Sequence, residues 1–382
     1  MSPQPSISVA ELNQFAQANQ IRSLQSNRAN SIDSLASQVR SALSQPQDYP
    51  PFADSILPDD HVAIVVESPL PRVNEVVELV AVQIAEGRNV QVTIVVTPTA
   101  WEHFWKDRPT TFTVVSHDAA DPQTLARLAI DRDDEPLYVN RVLFDADVVI
   151  PIGCLSVRER MQNQDCVVPA FLGRENQERF VSSTNSEKRR LIRMVSENLG
   201  TFAGCQVVLG PGGEVDLVLS GESESIRESA IDCLEKNWKY ILQERYPVVL
   251  GTLESPAYAQ TWDELAGALV TARTCAAAGG ALVLVTQLSH RPPRDLRAAL
   301  DGTLGAASSK ASKLVQQVAE IAALHPIYLV SALKQADVEN LGIGHVTNLM
   351  ELTRLIERNG AALLVRDADQ AVVEFSEQVP VL

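Results

Sequence analysis

Two runs of apolar, mostly β-branched residues constrain the fold of this chain more than any other feature of its sequence. They are VAIVV at 62–66 and VTIVV at 92–96. Apolar runs without polar alternation are typical of strands buried on both faces of a parallel sheet. The segment between them has the apolar spacing of a helix, for which Asn74 is the predicted N-cap and Gly87 the predicted end. Strand, helix and strand form a βαβ unit, which predicts a parallel sheet with a right-handed crossover.

The same alternation continues along the chain. A strand at 113–115, a helix starting near Asp121 and a buried strand at 146–152 are predicted next, and QVVLGPGGEVDLVLS (206–220) is predicted to be a β-hairpin around a Gly/Pro turn. From Pro247 onward a second block is predicted, with strands at 248–250, 281–286, 327–330 and 362–365 and helices at 263–278, 311–323 and 348–359. The predicted fold class is therefore α/β, with two α/β domains of mostly parallel sheets, a β-hairpin insertion and a cleft between the domains. The predicted divisions are a polar N-terminal extension (1–50), an N-terminal α/β domain (51–245) and a C-terminal α/β domain (246–382).

Charge and cysteine content limit the partners and the compartment. The 382 residues carry 32 basic and 48 acidic side chains, a net charge of -16, so neither nucleic acid nor an anionic membrane surface is an expected partner. The sequence has no apolar stretch of transmembrane length, and its first residues resemble no secretory signal. The five cysteines form no C-x-x-C pair, which indicates reduced thiols and a cytoplasmic location. The oligomeric state is not predicted.

Common catalytic motifs are not found in the sequence. GPGGEV (210–215) is followed by a predicted strand rather than a helix, which favours a hairpin turn over a phosphate-binding loop. The six histidines never pair at i, i+3 or i+4, so no metal site is predicted from spacing. Neither a G-x-S-x-G elbow nor a P-loop is present.

Candidate site residues follow from the rule that ligands of open α/β sheets lie beyond the carboxyl ends of the strands. His117 and Asp118 are a candidate acid/base pair there; alternatively, Asp118 caps the next turn beside a structural histidine. The residues at predicted strand ends that we expect to contact substrate are Glu67, Arg72, Thr97, Thr99 and Gln287. Arg158, after the strand at 146–152, is a third candidate catalytic residue.

Several of these segments together resemble the nickel-pincer-nucleotide lactate racemase family. The resemblance runs from SALSQPQDYPPFADSILPDDHVAIVV through SHDAADPQTLARLA and PLYVNRVLFDADVVIPIG, the last being the most similar stretch. It continues in GCQVVLGPGGEVDLVLSGESESIRESAIDCLEKNW and in TWDELAGALVTARTCAAAGGALVLVTQ. About 300 residues are covered in order, which implies the family's two-domain fold and an isomerase acting on a 2-hydroxy acid.

The residues that carry the family's chemistry are changed in this chain. Where the family has an acidic-x-Thr-Arg-Pro pattern, this sequence reads Glu67-Ser68-Pro69-Leu70-Pro71, with Arg72 out of register. Pro98 stands at the position of one catalytic histidine of the family, and Arg158 at that of the other. The lysine that attaches the nickel cofactor has no counterpart, and Asn185 is the nearest polar residue to the expected nickel-binding histidine. The family's substrate contacts in the second domain align with Trp262, Asp263 and Ala266.

Three interpretations remain open at this point. In the first, the protein binds a small anionic ligand in the interdomain cleft without racemase activity and without a cofactor. In the second, it is an isomerase or other enzyme acting on a hydroxy acid or sugar acid through replacement groups such as His117, Asp118 and Arg158. In the third, it is a structural or assembly protein. Racemisation needs a base on each face of the reacting carbon, and neither proline nor a guanidinium supplies one.

Overall fold

The computed structural model describes residues 7–26, 34–131, 134–155, 166–303 and 313–376. The chain divides into two compact units. Unit 1 comprises the described residues within Met1–Asn27, Pro211–Gly213 and Glu235–Leu382, and unit 2 those within Arg28–Gly210 and Glu214–Leu234. Residues 7–26, which the sequence assigned to an N-terminal extension, thus lie in the same unit as the C-terminal part of the chain.

The strands are, in chain order, β1 (Arg22–Leu24), β2 (His61–Val66), β3 (Gln91–Val96), β4 (Thr113–Ser116), β5 (Leu125–Ile130), β6 (Pro136–Asn140), β7 (Val148–Leu155), β8 (Ala203–Leu209), β9 (Val215–Glu222), β10 (Lys239–Leu242), β11 (Tyr246–Thr252), β12 (Ala276–Val285), β13 (Ile327–Val330), β14 (Gly344–His345), β15 (Ala362–Val365) and β16 (Val372–Phe375).

The helices are α1 (Val9–Ala18), α2 (Leu35–Ser44), α3 (Pro71–Ala85), α4 (Pro98–Ala100), α5 (Arg141–Asp145), α6 (Arg174–Ser182), α7 (Asn185–Leu199), α8 (Ser223–Trp238), α9 (Trp262–Cys275), α10 (Leu296–Leu300), α11 (Lys313–Ala322), α12 (Gln335–Glu339) and α13 (Leu349–Asn359). None of the helices in the described ranges is both long and apolar enough to cross a lipid bilayer.

The sheet of unit 2 has the strand order β4-β3-β2-β7-β8-β9. All its pairings are parallel except that of β8 with β9. The predicted hairpin is confirmed by that antiparallel pair. All five residues of the run 62–66 are fully buried, as expected for a strand covered on both faces.

The sheet of unit 1 has the order β1-β15-β11-β12-β13-β14, and every pairing in it is parallel. Along β12, Leu282 and Leu284 belong to one hydrophobic cluster while Val283 and Val285 belong to another. Because side chains alternate between the faces of a strand, the sheet has a core on each side. The α/β fold class with mostly parallel sheets is confirmed.

Three sequence-based predictions about local structure were wrong. The helix expected near Asp121 is a 3₁₀ turn followed by β5, which pairs with β6 in an antiparallel ribbon. The helix predicted over 263–278 ends at Cys275, because Ala276 already pairs with Tyr246 of β11; the two glycines lie in the irregular stretch of β12 before Ala281 pairs with Val248. Helix α3 starts at Pro71, which suits a first helical position, so Asn74 lies inside the helix instead of capping it.

Candidate functional site

The carboxyl ends of β2, β3 and β4 bring several candidate residues to one edge of the unit 2 sheet. Glu67, Thr97 and His117 each directly follow one of these neighbouring strands. The Thr97 hydroxyl donates to the Glu67 carbonyl oxygen at 3.2 Å, and the backbone N–H of His117 donates to the carbonyl of Val96 at 2.9 Å. The topology therefore places these residues at one edge, as the strand-end rule predicted.

His117 is buried, with 3% of its surface exposed. Its Nε2 lies 3.0 Å from the carbonyl oxygen of Leu172, and its Nδ1 lies 3.1 Å from the amide nitrogen of Asn140. A carbonyl only accepts and an amide NH₂ only donates, so the ring is the neutral Nε2–H tautomer. Burial lowers the pKa of His117. Both ring nitrogens are used, so taking a proton from a substrate would cost the bond to Asn140.

Asp118 points elsewhere although it is the next residue. It is exposed, and its Oδ1 accepts from the backbone N–H of Ala120 at 2.9 Å. Its carbonyl oxygen accepts from the Thr124 hydroxyl at 3.1 Å. These bonds define an Asx-type turn. Asp118 therefore has the turn-capping contacts that the sequence analysis gave as the alternative to an acid/base role. The third candidate, Arg158, lies outside the described residues.

Two further candidates of unit 2, Arg72 and Thr97, have structural partners. Arg72 bonds to Glu75 at 2.6 Å and Glu214 at 2.9 Å, so its charge already faces two carboxylates. Thr97 accepts from the N–H of Ala100 and caps the short helix α4, while Thr99 is exposed on it. Pro98 is the first residue of that helix.

Unit 1 contains the other two predicted contacts. Trp262 begins α9 and is buried, with its indole Nε1 donating to the carbonyl of His290 at 2.9 Å. Gln287 lies just beyond the carboxyl end of β12 with an exposed side chain. The predicted substrate contacts are thus divided between the two units.

Gln260 connects several backbone and side-chain groups at the carboxyl ends of β11 and β12 through hydrogen bonds. The sequence analysis did not identify it. It is fully buried, and its Oε1 accepts from the Thr286 hydroxyl at 2.6 Å and from the N–H of Gln287 at 2.7 Å. Its amide nitrogen donates to the carbonyls of Leu253 and Ser255 at 3.1 and 2.6 Å. All four hydrogen-bonding positions of the amide are used. The only sequence signal was its place just before the capping box of α9.

A cavity of about 320 Å³ lies at the carboxyl ends of β11 and β12. Its lining combines apolar groups with two hydroxyls and one amide side chain, and holds no charged residue; the lining residues are Ile7, Ser8, Val9, Ala10, Leu253, Val285, Thr286 and Gln287. The first turn of α1 supplies one wall. Gln287 is the predicted substrate contact that meets the cavity.

The described residues do not fit a nickel-pincer nucleotide. Across the described ranges, no group of three His, Cys, Asp or Glu side chains is placed to hold a metal ion. Asn185, which stands near the expected nickel-binding histidine, is exposed in the first turn of α7. The sequence has no lysine between Gly153 and Glu187, and Lys188 packs its ammonium group over the ring of Phe180 at 5.1 Å.

Comparison with known proteins assigns the class of this protein. Residues 10–158 match the model of the lactate racemase N-terminal domain family. The structure is similar to the lactate racemase apoprotein from Thermoanaerobacterium thermosaccharolyticum, at 12% identity and a TM-score of 0.69, covering 89% of this chain and 93% of that one. A crystal structure of a Thermotoga maritima protein is also similar, at 11% identity and a TM-score of 0.60, covering 92% of this chain and 100% of that one. No protein of curated function matches the sequence.

The predicted family assignment is confirmed by these findings. Residues 10–158 therefore carry the lactate racemase N-terminal domain, and the chain has the fold of the lactate racemase apoprotein along most of its length.

Proposed function

We propose that this lactate-racemase-like protein binds a small carboxylate-bearing molecule in the cavity at the carboxyl ends of β11 and β12, and does not catalyse nickel-dependent racemisation. The observation that carries the proposal is the cavity beside Gln287. Its volume of about 320 Å³ is within the range of small-molecule sites, roughly 300–1,000 Å³. Its position matches where open α/β sheets bind ligands.

A carboxylate suits the donors around this cavity. Val9 and Ala10 are the first residues of α1, whose N–H groups have no acceptor in the helix's own ladder and lie at the positive end of its dipole. The Ser8 hydroxyl donates to Glu11 at 2.7 Å, so the capping box is satisfied without the ligand. Gln287 adds an exposed amide donor at the opposite wall. The apolar groups at Ile7 and Val285 would cover the carbon skeleton of a small hydroxy acid.

We infer the absence of racemase activity from the residues at the carboxyl ends of the unit 2 strands. Racemisation by hydride transfer requires a base on each face of the reacting carbon. Pro98 occupies one of the two histidine positions implied by the resemblance, and a proline has no side-chain proton acceptor. His117 is a neutral ring with both nitrogens bonded. With no lysine between Gly153 and Glu187, the covalent attachment of the cofactor has no amine to use.

Isothermal titration calorimetry with L-lactate, D-lactate and glycolate tests the binding. The variant Ala10→Phe places a ring in the cavity from an exposed position, and Ala18→Phe adds the same ring to an exposed position at the other end of α1 as the matched control. We expect at least one of these carboxylates to bind the wild type, Ala10→Phe to weaken that binding by about tenfold or more, and Ala18→Phe to leave it unchanged. Absence of binding to all three ligands, or equal binding by both variants, contradicts the proposal.

A separate assay tests the second half of the proposal. Protein produced together with the enzymes that make the pincer nucleotide is incubated with L-lactate, and the formation of D-lactate is followed. We expect no interconversion and no covalent mass increment. Racemisation above the cofactor-free background would overturn this half and leave the binding result standing.

A further inference from the structure

Asp367 is a buried carboxyl group in the turn that follows β15. It is 4% exposed, and its backbone adopts a left-handed conformation with φ of 43°, which aspartate tolerates better than most residues. Its Oδ2 accepts from the N–H of Gly212 at 3.2 Å. Gly212 belongs to the Pro211–Gly213 turn, which lies in the same unit.

The charges that face Asp367 are mostly of its own sign. Glu254, after β11, and Asp369, in the same turn, both act on it as negative charges, and Arg366 is the facing cation. Arg366 already binds Glu254 through two bonds of 2.8 and 2.5 Å. Burial and these two carboxylates hold the pKa of Asp367 well above its usual value.

Tyr240, on β10, adds a second unusual group to this cluster. The residue is 7% exposed, and its hydroxyl is buried without a hydrogen-bond partner. Burial and the charge of Asp367 raise the pKa of Tyr240. The Tyr240 hydroxyl is therefore a further buried titratable group in the electrostatic surroundings of Asp367.

The turn that carries Asp367 is fastened to the cavity wall through Thr252. The N–H of Asp367 donates to the Thr252 hydroxyl at 3.1 Å, and the N–H of Ala368 donates to the Thr252 carbonyl at 2.8 Å. The Thr252 hydroxyl in turn donates to Glu254 at 2.7 Å. Leu253, which lines the cavity, lies between these two residues. Both chain neighbours of this wall residue are therefore bonded to the turn at 366–370.

We propose that Asp367 is a proton-operated switch whose protonated form keeps the turn at 366–370 docked on Thr252, and whose ionisation releases the turn and the cavity wall at Leu253. Ionisation places a negative charge in a buried position beside Glu254 and Asp369, and opening of the turn exposes that charge to water. Opening is therefore favoured as pH rises, and ligand binding in the cavity weakens with it. The ligand-binding part rests on the proposed function; the switch itself does not.

Hydrogen exchange of the Asp367 and Ala368 amides, corrected for intrinsic rates, tests the switch without any ligand. Opening is linked to the loss of one proton, so in the wild type the opening constant should rise about tenfold per pH unit from the ordinary aspartate pKa of about 3.9 up to the raised value in the folded protein. Asp367→Asn mimics the neutral acid, and its opening should not depend on pH. Equal pH dependence in both proteins overturns the proposal.

A second variant covers the case in which Asp367→Asn does not fold. Asp369→Asn removes one facing negative charge, so it should lower the pKa of Asp367, and the pH-dependent rise should end at a lower pH. A ¹³C NMR titration of the Asp367 carboxyl measures this directly, and titration of the wild-type group at the value of an exposed aspartate refutes the switch. L-lactate affinity measured at about pH 5 and about pH 8 then separates the two proposals. If the turn opens with pH as expected but L-lactate does not bind, the switch at Asp367 is supported and the proposed ligand binding is overturned.

Discussion

The side-chain amide of Asn140 donates to Nδ1 of His117 across 3.1 Å, while its own Oδ1 accepts from the N–H of Val142 at 3.0 Å. The second bond fixes the orientation of the amide, and the amide fixes the tautomer of the ring. His117, which follows the edge strand β4, is thereby held as a neutral ring between Asn140 and the carbonyl of Leu172.

His117 should make the protein acid-sensitive. Its folded pKa is lowered, so the unfolded chain binds a proton that the folded chain does not, and this contribution to stability is lost as pH falls below about 6.5. His117→Gln keeps a donor and an acceptor but cannot titrate. We expect it to cost about 1–2 kcal/mol at neutral pH and this deficit to shrink on acidification, as measured by urea unfolding from about pH 7 to about pH 5. His103→Gln, at an exposed position, is the control, and a deficit independent of pH would contradict the assignment.

Gln260 should be among the most sensitive polar residues of unit 1. Gln260→Ala leaves the Thr286 hydroxyl, the N–H of Gln287 and two carbonyls without their present partner. We expect a loss of about 2–4 kcal/mol in the free energy of unfolding, measured by urea denaturation. Gln335→Ala removes an exposed glutamine and should change stability by less than about 0.5 kcal/mol. Similar effects from both substitutions would disprove the central role of Gln260.

Two arginine–glutamate pairs should differ in their contribution to stability. In the Arg72–Glu214 pair the side chains are 47% and 52% exposed, whereas in the Arg366–Glu254 pair they are 28% and 10% exposed. Arg72→Ala should cost less than about 1 kcal/mol, and added salt should reduce that cost. Arg366→Ala leaves Glu254 buried without its cation and should cost about 3–5 kcal/mol. Thermal unfolding at low and high salt compares the two, and a larger loss from Arg72→Ala would contradict the order.

Gly221 should tolerate no side chain. Its φ is 140°, and a Cβ there would overlap the backbone of Gln47, which pairs with Gly221 in an isolated parallel bridge. Gly87 also has a positive φ, of 71°, but has open space around it. We therefore expect Gly87→Ala to cost about 1 kcal/mol and Gly221→Ala to cost clearly more, about 3 kcal/mol or more. Circular dichroism melting curves of both variants test the difference, which a shared small effect would disprove.

The parts of the fold that were predictable are those in which local sequence and tertiary context agree. The run at 62–66 is apolar at every position and rich in β-branched residues, which favours a strand, and all five residues are buried. The segment after Asp121 was predicted as a helix, but it forms β5, and its pairing with β6 decides its structure. Gly279 and Gly280 were predicted to end a helix, yet they lie within β12, in the irregular stretch between the pairing of Ala276 and that of Ala281 with β11.

The candidate site was less predictable than the fold. The structure places Glu67, Thr97, His117 and Gln287 just beyond the carboxyl ends of strands, and their role in a site stays a prediction. What sequence could not supply is which polar atoms are already bonded: Asn140 and Leu172 lie 23 and 55 residues from His117. Gln260 carries no motif at all, and its importance comes from Thr286 and Gln287, 26 and 27 residues away.

Strand β1 is synthesised long before the strand with which it pairs. Within the described part of the chain, Arg22–Leu24 pair in parallel with Leu363–Val365 alone, and Ile7 and Leu12 pack in the same cluster as Val248 and Leu364. A ribosome makes this segment about 340 residues before its neighbours in the sheet, at roughly 5–20 residues per second. During synthesis, β1 therefore remains without β15 for tens of seconds. A nascent chain halted before β15 has β1 without its partner strand, and cutting the gene between β9 and β10 would leave a C-terminal fragment with an open sheet edge at β15.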